Sequence, residues 1–419
     1  MNIIISVVNT ILDAGYIVML PIMITLIGII FKMNFGKALK AGLMIGIGLQ
    51  GINLVASYMV ETLTPVIDYY SAMGGSGFPI LDYGYEFEFL LDFSVPWAAI
   101  AIVLCIVINV LLIKFTPIKV MNVDVWNFAN FFTVGVIVYY TTNSFIASLI
   151  VTLVMSVIVL IYAQYIAKDW QEFTGFEGVT CTTYSMSMVY FIGVIVNKIF
   201  DAIPGLRNVD INIDNLREKA GVLVDTPVLG AIVGLFMGII SKQPAMDCLV
   251  IACKMSACLV LLPKIAGLLM EGLNPLSTAI RKYMQSKNET GKELIIGMDI
   301  ATGIGEPCGV AVAVLMIPLI VVVALICPWI KSFPALLLGG TIYWSVMASM
   351  VHKKNVFRAL ITCVLFLTVA MTFTTMFADV CGTIIVNAGL AESAANISSI
   401  GLCDRVASVI ALIVGKMFI

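Results

Sequence analysis

The chain has 419 residues, of which 61% are hydrophobic and only 11% carry a charge. A soluble domain carries about a quarter charged residues, so this composition excludes a water-soluble fold and indicates a protein whose outer surface faces lipid. The net charge of −2 offers no attraction to nucleic acid, and the length fits about ten membrane spans of roughly 20 residues each with their loops.

Apolar stretches follow one another along the chain and predict membrane-spanning helices, since each approaches the roughly 20 residues that a helix needs to cross a bilayer. They lie at about 14–31, 41–60, 95–113, 128–142, 145–166, 227–241, 245–270, 308–330, 334–351 and 356–377, with a shorter run at 406–419. The predicted fold class is therefore an all-α polytopic membrane protein with about 11 transmembrane helices.

Two stretches, 78–94 and 293–306, are too polar to face lipid and too apolar to lie in water. Each contains glycines and carboxylates, and such segments persist at membrane depth only within the protein or along a water-filled cavity. We predict that both are re-entrant or broken helices. A third stretch, 179–200, is rich in threonine and serine, whose hydroxyls could bind a polyol or bond back to their own helix.

Short landmarks in the first half of the chain recur in the same order in the second half. The separation within each pair is nearly constant, which isolated matches between apolar helices would not produce. The pairs are Leu63-Thr64-Pro65 with Leu273-Asn274-Pro275, Pro96 with Pro307, and Asn143–Ala147 with Asn355–Ala359. This series predicts a duplicated five-helix unit, with one repeat at 10–166 and the other at 226–377.

The charges of equivalent loops predict that the two repeats are inverted in the membrane. Positive residues in short loops favour the cytoplasm, which places the lysine-rich loop at 32–40 inside. The connection 61–94 carries acidic residues, among them Glu88 and Asp92, and no Lys or Arg, so we expect it to face outward. Its counterpart 271–306 is rich in Lys and Arg and should face inward. Inverted repeats with paired broken helices are typical of alternating-access transporters.

The remaining segments complete the predicted domain organisation. We expect 167–225 to be a linker with a re-entrant polar segment and a cytoplasmic loop, and 378–419 to be an amphipathic segment with a short final helix. The single histidine, His352, lies beside two lysines, so we expect a solvated charge in a cytoplasmic loop. The cysteines form no metal-ligand pattern and no Walker A motif is present, so the sequence predicts no metal, no cofactor and no catalytic residue.

Carboxylates inside a membrane cost about 2.5–3.5 kcal/mol each on insertion scales, and they therefore indicate a function. Asp299 and Glu306 lie in the second broken segment, where glycines permit the close approach of a ligand. We expect Asp299 to face the substrate. Glu306 either does the same or caps the helix that begins at Pro307.

The first broken segment and the polar helices supply the other candidates. Asp82 and Glu86 can accept hydrogen bonds from a sugar or polyol or can line a wet outer mouth, and Tyr85 can form an aromatic platform. Asn127 and Asn130 share a helical face, either to bind substrate or to join helices. The predicted substrate-binding set is Asp82, Tyr85, Glu86, Asn127, Asn130, Glu177, Thr183, Ser185, Asp299 and Glu306.

At several motifs the sequence resembles the galactitol-type enzyme IIC of the bacterial phosphoenolpyruvate-dependent phosphotransferase system, a family that is similar to the ascorbate-type enzyme IIC. The motif with Asn122 and Asn127 is the most specific of them. The matching motifs are Lys40-Ala-Gly-Leu-Met-Ile-Gly-Ile-Gly48, Asn122-Val-Asp-Val-Trp-Asn127, Phe176-Glu-Gly178, Thr226-Pro-Val228 and Leu294-Ile-Ile-Gly-Met-Asp299. The resemblance implies a multi-pass inverted-repeat homodimer in the bacterial inner membrane, in which a core domain moves against a dimerising scaffold.

The resemblance also implies partners and a function. A permease of this kind moves a sugar or sugar alcohol such as galactitol, while a phosphocysteine on a soluble IIB protein, supplied by IIA, phosphorylates it at the inner face. In the family pattern histidines occupy the places of Asn130, Thr183 and Glu306, so we expect these positions to select the ligand. The alternative is an ion-coupled secondary transporter of a sugar or organic anion with the same fold.

Overall fold

The computed structural model describes residues 16–74, 79–84, 88, 91–92, 94–122, 126–211, 226–286, 294–332 and 340–418. Within these ranges the chain is mostly helical. The helices are α1 (Tyr16–Ile30), α2 (Phe35–Gly74), α3 (Ala98–Phe115), α4 (Ala129–Thr142), α5 (Phe145–Thr174), α6 (Ser187–Ala202), α7 (Pro204–Arg207), α8 (Thr226–Ile240), α9 (Ala245–Ser286), α10 (Pro307–Ile326), α11 (Thr341–Val351), α12 (Val356–Met376), α13 (Ala378–Asn387) and α14 (Val406–Gly415). The strands are β1 (Leu81–Asp82), β2 (Val120–Asn122), β3 (Val179–Cys181), β4 (Ile295–Met298) and β5 (Ile397–Ser398).

Several helices are long and apolar enough to cross a membrane. By length and composition, those found among the described residues are Phe145–Thr174, Tyr184–Ala202, Pro307–Ala324 and Val356–Met376. Large apolar side chains such as Ile146 and Ile195 are exposed on these helices, which fits contact with lipid rather than with water. The prediction of a mostly helical membrane protein is therefore confirmed.

The helices α2 and α9 are longer than a membrane is thick. They contain 40 and 42 residues, so at 1.5 Å per residue each extends about 60 Å, twice the hydrocarbon core of roughly 30 Å. They pack against each other, and each also packs on the helix that precedes it, α1 or α8. These helices therefore form one continuous packed group.

Short polar turns join consecutive helices at matching places in the two halves. Asn143 adopts a left-handed conformation (φ 54°) at the end of α4, and Ser144 Oγ accepts a hydrogen bond from Ala147 N (3.3 Å) at the start of α5. In the second half, Asn355 Oδ1 accepts from Arg358 N (3.1 Å) and caps α12. Such caps satisfy helix donors that otherwise have no partner. The asparagine that recurs in the sequence thus marks a helix-to-helix turn in each half.

A three-stranded parallel sheet joins the two halves of the chain. Its middle strand is β4, which lies between Val120–Asn122 of β2 and Val179–Cys181 of β3. β1 pairs in parallel with β5, and Ile80 forms an isolated bridge with Ser332. The strand that follows the long helix of each half therefore pairs with segments of the other half.

The two segments that we predicted to be re-entrant or broken helices are interrupted, but their first part is extended. Within 293–306, β4 is followed by a 3₁₀ turn at Ile300–Gly303, and 78–94 contains β1. Extended backbone inside a membrane needs partners for its N–H and C=O groups, and the neighbouring strands supply them. Gly297 permits their close approach, because a Cβ at this position would lie 2.5 Å from Thr182 Cγ2.

The elements of the two halves follow the same order. In the first half the order is α1, α2, β1, α3, β2, α4, α5, β3 and α6; in the second it is α8, α9, β4, α10, the Ser332 bridge, α11, α12 with α13, β5 and α14. The predicted boundary at residue 166 falls within α5, which continues to Thr174. The matching elements β3, α6, β5 and α14 therefore lie beyond the predicted repeats.

The prediction that His352 is a solvated charge is wrong. The side chain is buried, with Nδ1 2.8 Å from Asn197 Oδ1 and Nε2 2.6 Å from Thr362 Oγ1. Burial, together with the nearby positive charge of Arg358, lowers the pKa of His352 to about 4. The ring is therefore neutral at neutral pH, and it ties the turn after α11 to α6 and α12.

The buried ring predicts a pH dependence of stability. Since the unfolded His352 side chain binds a proton near pH 6.5 and the folded one only near 4, folding excludes a proton between these values and stability falls as the pH is lowered through them. In thermal unfolding of the detergent-purified protein, His352→Gln should lose this part of the pH dependence. Lys353→Gln, in the same turn, should keep it, and identical pH profiles for His352→Gln and wild type would contradict the assignment.

Candidate functional site

Polar residues that follow three parallel strands lie close together. The carboxyl ends of parallel strands meet at the same edge of a sheet, and each strand of the three-stranded sheet is followed by a 3₁₀ turn: Trp126–Phe128, Tyr184–Met186 or Ile300–Gly303. Side chains in or beside these turns contact one another. We call this group the Asp299 junction, and its residues are Asn127, Asn130, Thr183, Ser185 and Asp299.

Thr183 connects the three chain segments of the Asp299 junction. Its Oγ1 lies 3.0 Å from Asn127 Oδ1 and 3.0 Å from Asp299 Oδ2, and it accepts a hydrogen bond from Ile300 N (2.8 Å). The single hydroxyl hydrogen goes to one of the two oxygen acceptors at a time. Thr183 thus bonds across elements and not back to its own helix.

The two asparagines hold α4 against the turn that follows β3. Asn130 Nδ2 donates to Asn127 Oδ1 (3.0 Å), and Asn130 Oδ1 accepts from the backbone N of Ser185 (2.8 Å). The two amides therefore face each other, as their spacing predicts. Both side chains are buried, so this contact also joins chain segments that are distant in sequence.

Asp299 is the least buried member of the junction. The residue as a whole is half-buried, whereas Asn127, Asn130, Thr183 and Ser185 are buried. Oδ1 accepts from Ala301 N (2.8 Å) and caps the turn. Each carboxylate oxygen can accept a second hydrogen bond, so the group can bind hydroxyls that reach it from the accessible side.

The other predicted binding residues lie elsewhere. Glu306 Oε2 accepts from Cys308 N (2.8 Å) and Gly309 N (3.1 Å), while its Oε1 lies 3.4 Å from Lys354 Nζ. The structure therefore places Glu306 as the cap of α10, the second of the two roles that the sequence allowed. Glu177 is exposed in the turn after α5. Tyr85 and Glu86 fall outside the described residues.

Asp82 organises the pair β1–β5. Its Oδ1 accepts from Gly84 N (2.9 Å) and Ile400 N (3.0 Å), and Ser399 Oγ donates to Gly84 O (2.8 Å). The carboxyl is buried, and among the described residues Oδ2 has no hydrogen-bond partner. The interpretation that Asp82 lines a wet outer mouth is therefore wrong.

A second polar group was missed by the sequence analysis. Arg405 is fully buried, with Nε 2.8 Å from Asp404 Oδ1 and Nη1 2.6 Å from Thr133 Oγ1, and its Nη2 pairs with Glu88. Thr133 also contacts Asp92 Oδ2 (2.9 Å). We call these five residues the Arg405 cluster.

The carboxylates of the Arg405 cluster lie in a segment that we expected to be inside the protein. Glu88 and Asp92 belong to the stretch 78–94, and both are buried. Their burial does not decide which side of the membrane the connection 61–94 faces, so that orientation stays a prediction.

Thr133 lies three residues after Asn130, on the same face of α4, and this shared face is the signal that could have indicated Thr133. Arg405 directly precedes the apolar helix α14. An arginine at a helix end can also reach the membrane surface, so its position alone does not indicate burial.

The chain is similar to known permease components over most of its length. Residues 10–394 match the family model EIIC-GAT, described as the sugar-specific permease component of the PTS system. The chain is 28% identical over 394 residues to the galactitol-specific EIIC components of the PTS system from Escherichia coli strains K12 and O157:H7, covering 94% of this chain and 87% of each relative. It is also 28% identical over 368 residues to a protein of strain K12 named as a permease IIC component, covering 88% of this chain and 84% of the relative.

Proposed function

Because the chain belongs to the EIIC-GAT family of sugar-specific permease components of the phosphotransferase system, we propose that it translocates a sugar or sugar alcohol bound at the Asp299 junction. The family that the sequence motifs indicated, and its multi-pass membrane location, are confirmed by the match. The observation that carries the proposal is a half-buried aspartate among buried amides and hydroxyls, where three parallel strands end inside an apolar bundle.

The chemistry of the Asp299 junction favours a neutral ligand with several hydroxyls. Its five members offer carboxylate, amide and hydroxyl groups, and none of them carries a positive charge. An organic anion would meet the Asp299 carboxylate without a cation among these residues to balance it. A polyol would donate its hydroxyl hydrogens to the carboxylate, and galactitol is the first candidate because two relatives are named for it.

In this proposal the chain binds and moves the substrate, and a partner performs the chemistry. Substrate enters from outside, the bundle rearranges, and the bound hydroxyl becomes accessible at the inner face to a phosphocysteine of a soluble IIB protein, which IIA recharges. Asp299 binds and orients the substrate, and the buried residues Asn127, Asn130, Thr183 and Ser185 hold the junction in place around it. Asp82, Tyr85, Glu86 and Glu177 are not needed for this minimal site.

We further propose that the chain consists of two inverted repeats that are longer than the sequence landmarks indicated. The same order of elements in both halves and the exchange of strand partners between them support a twofold relation. The first repeat would extend to the end of α6 and the second to the end of α14. Residues 167–202 and 378–415 would then complete the repeats, and two copies of the chain would form a homodimer.

Replacing Asp299 tests the proposed substrate site. Asp299→Ala removes both carboxylate acceptors, and hydrogen bonds to a charged group contribute about 1.5–3 kcal/mol, so galactitol affinity should fall roughly 10- to 150-fold. Asp299→Asn keeps one acceptor and should lose less. Calorimetry on purified protein measures the affinity, with Glu177→Gln as an exposed control that should bind like wild type. Unchanged affinity in an Asp299→Ala variant of native dimer mass would remove Asp299 from the site.

Coupling of uptake to phosphorylation by a IIB protein can be tested in cells. Cells that express the chain should take up the polyol only with a cognate IIB protein that retains its reactive cysteine, and the polyol should appear inside as a phosphate ester. Mass spectrometry of cell extracts distinguishes the ester from the free polyol. Accumulation of free polyol driven by an ion gradient without IIB would overturn this mechanism and favour the ion-coupled transporter.

The membrane topology of the two repeats can be tested with reporter fusions. If the repeats are inverted, reporter fusions within 32–40 and 276–292 should report the cytoplasm, because both segments are basic, and a fusion within 61–78 should report the outside. Cysteine labelling from either side of intact cells gives the same information without a fusion. The inverted arrangement is excluded if 61–78 and 276–292 prove to lie on the same side.

A further inference from the structure

The Arg405 cluster carries more negative than positive charge in a fully buried place. Glu88, Asp92, Asp404 and Arg405 are at most 4% exposed. With all groups ionised, three carboxylates would face one guanidinium. Burying an unbalanced charge costs several kcal/mol even after the protein relaxes, so the fully ionised cluster is unfavourable.

The hydrogen bonds around Thr133 show where a proton is needed. Its Oγ1 lies 2.5 Å from Glu88 Oε1, 2.9 Å from Asp92 Oδ2 and 3.0 Å from Ala129 O, and it accepts from Arg405 Nη1 at 2.6 Å. A threonine hydroxyl has one hydrogen and can serve only one of the three oxygens. A contact between two acceptor oxygens without a hydrogen is repulsive, so a carboxyl in this group must itself donate.

Among the described residues, Asp92 is the carboxyl of the cluster whose only hydrogen-bond contact is with Thr133. Glu88 is paired with Arg405 Nη2, and Asp404 Oδ1 accepts from Arg405 Nε. Asp92 Oδ2 has only the Thr133 contact, and Asp92 Oδ1 has no hydrogen-bond partner among the described residues. Asp92 is fully buried, so an ionised carboxylate there would lose its hydration with little in return.

The geometry of the Arg405 cluster does not suit a metal ion. Within the described ranges no three Asp, Glu, His or Cys side chains are placed to hold a metal ion, and the Arg405 guanidinium already occupies the centre of the cluster. Space beside Glu88 is also limited, since a Cβ on Gly401 would lie 2.8 Å from Glu88 Oε2. A proton needs no such space.

We propose that the Arg405 cluster is a proton-binding site in which Asp92 is a carboxylic acid whose Oδ2–H donates to Thr133 Oγ1. The proton comes from hydronium in the surrounding water: one O–H bond of hydronium breaks as the Oδ2–H bond of Asp92 forms, and a water molecule is left. The charged groups that face Asp92 are Glu88 from its own segment and Asp404 and Arg405 from the segment before α14, while Tyr184 approaches Arg405 from the turn after β3.

Infrared spectroscopy of the purified full-length protein in lipid tests the proposal. A protonated carboxyl has a C=O band that an ionised one lacks, so wild type should show a buried-carboxyl band at neutral pH and Asp92→Asn should lose one carboxyl's share of it. Asp379→Asn, which changes an exposed acid paired with Lys416, should leave the band intact. An unchanged band in Asp92→Asn would overturn the proposal and show Asp92 to be ionised.

Thermal unfolding and the infrared spectra of Thr133 variants test the same assignment of the proton to Asp92. Because the folded state would hold a proton that the unfolded state releases, the contribution of Asp92 to stability should decrease as the pH is raised above the ordinary pKa of an aspartate. The melting temperature of wild type minus that of Asp92→Asn should therefore decrease with rising pH; parallel curves would contradict the proposal. Thr133→Val removes the acceptor, so the band should shift, whereas Thr133→Ser should keep its position. If Asp92→Asn does not fold, an unshifted band in Thr133→Val overturns the assignment.

Discussion

Backbone polar groups inside a membrane must be bonded within the protein, because lipid offers no donor or acceptor. Helices meet this requirement by themselves, but a chain that interrupts its helices at membrane depth has to satisfy the exposed groups elsewhere. Here the interrupted segments are extended, and strands from the other half of the chain bond to them in parallel. Gly297, which leaves no room for a Cβ beside Thr182, allows the middle strand to fit.

The same strand pairing also brings together the residues of the proposed substrate site. Parallel strands end at one edge, so the residues that follow β2, β3 and β4 meet although they are far apart in sequence. Thr183 bonds to both Asn127 and Asp299, and only Asp299 keeps partial exposure. The parallel pair β1–β5 likewise joins the two halves of the chain, and there Asp82 accepts hydrogen bonds from Gly84 and Ile400. On α4, Asn130 faces the Asp299 junction and Thr133 joins the Arg405 cluster, so one helix contacts both polar groups.

Much of this arrangement could be predicted from the sequence, for physical reasons that are specific to each part. Apolar runs locate helices because lipid demands them, and the cost of a carboxylate in a bilayer singled out Asp299. Strands of two to four residues are too short for an alternating pattern, so neither they nor their partners in the other half could be recognised. The burial of Arg405 depends on Glu88 and Asp404, and sequence position alone places Glu88 in an apparently acidic connection.

We propose above all that the three strand ends form the substrate site. A cryo-EM structure of the protein in lipid nanodiscs, with galactitol or the polyol that cells accumulate as its phosphate, tests it directly. We expect density for the polyol within hydrogen-bond distance of the Asp299 carboxylate and beside Asn130, with the three-stranded sheet intact. Polyol density elsewhere in the bundle, with the Asp299 junction unchanged and out of contact, would contradict the claim.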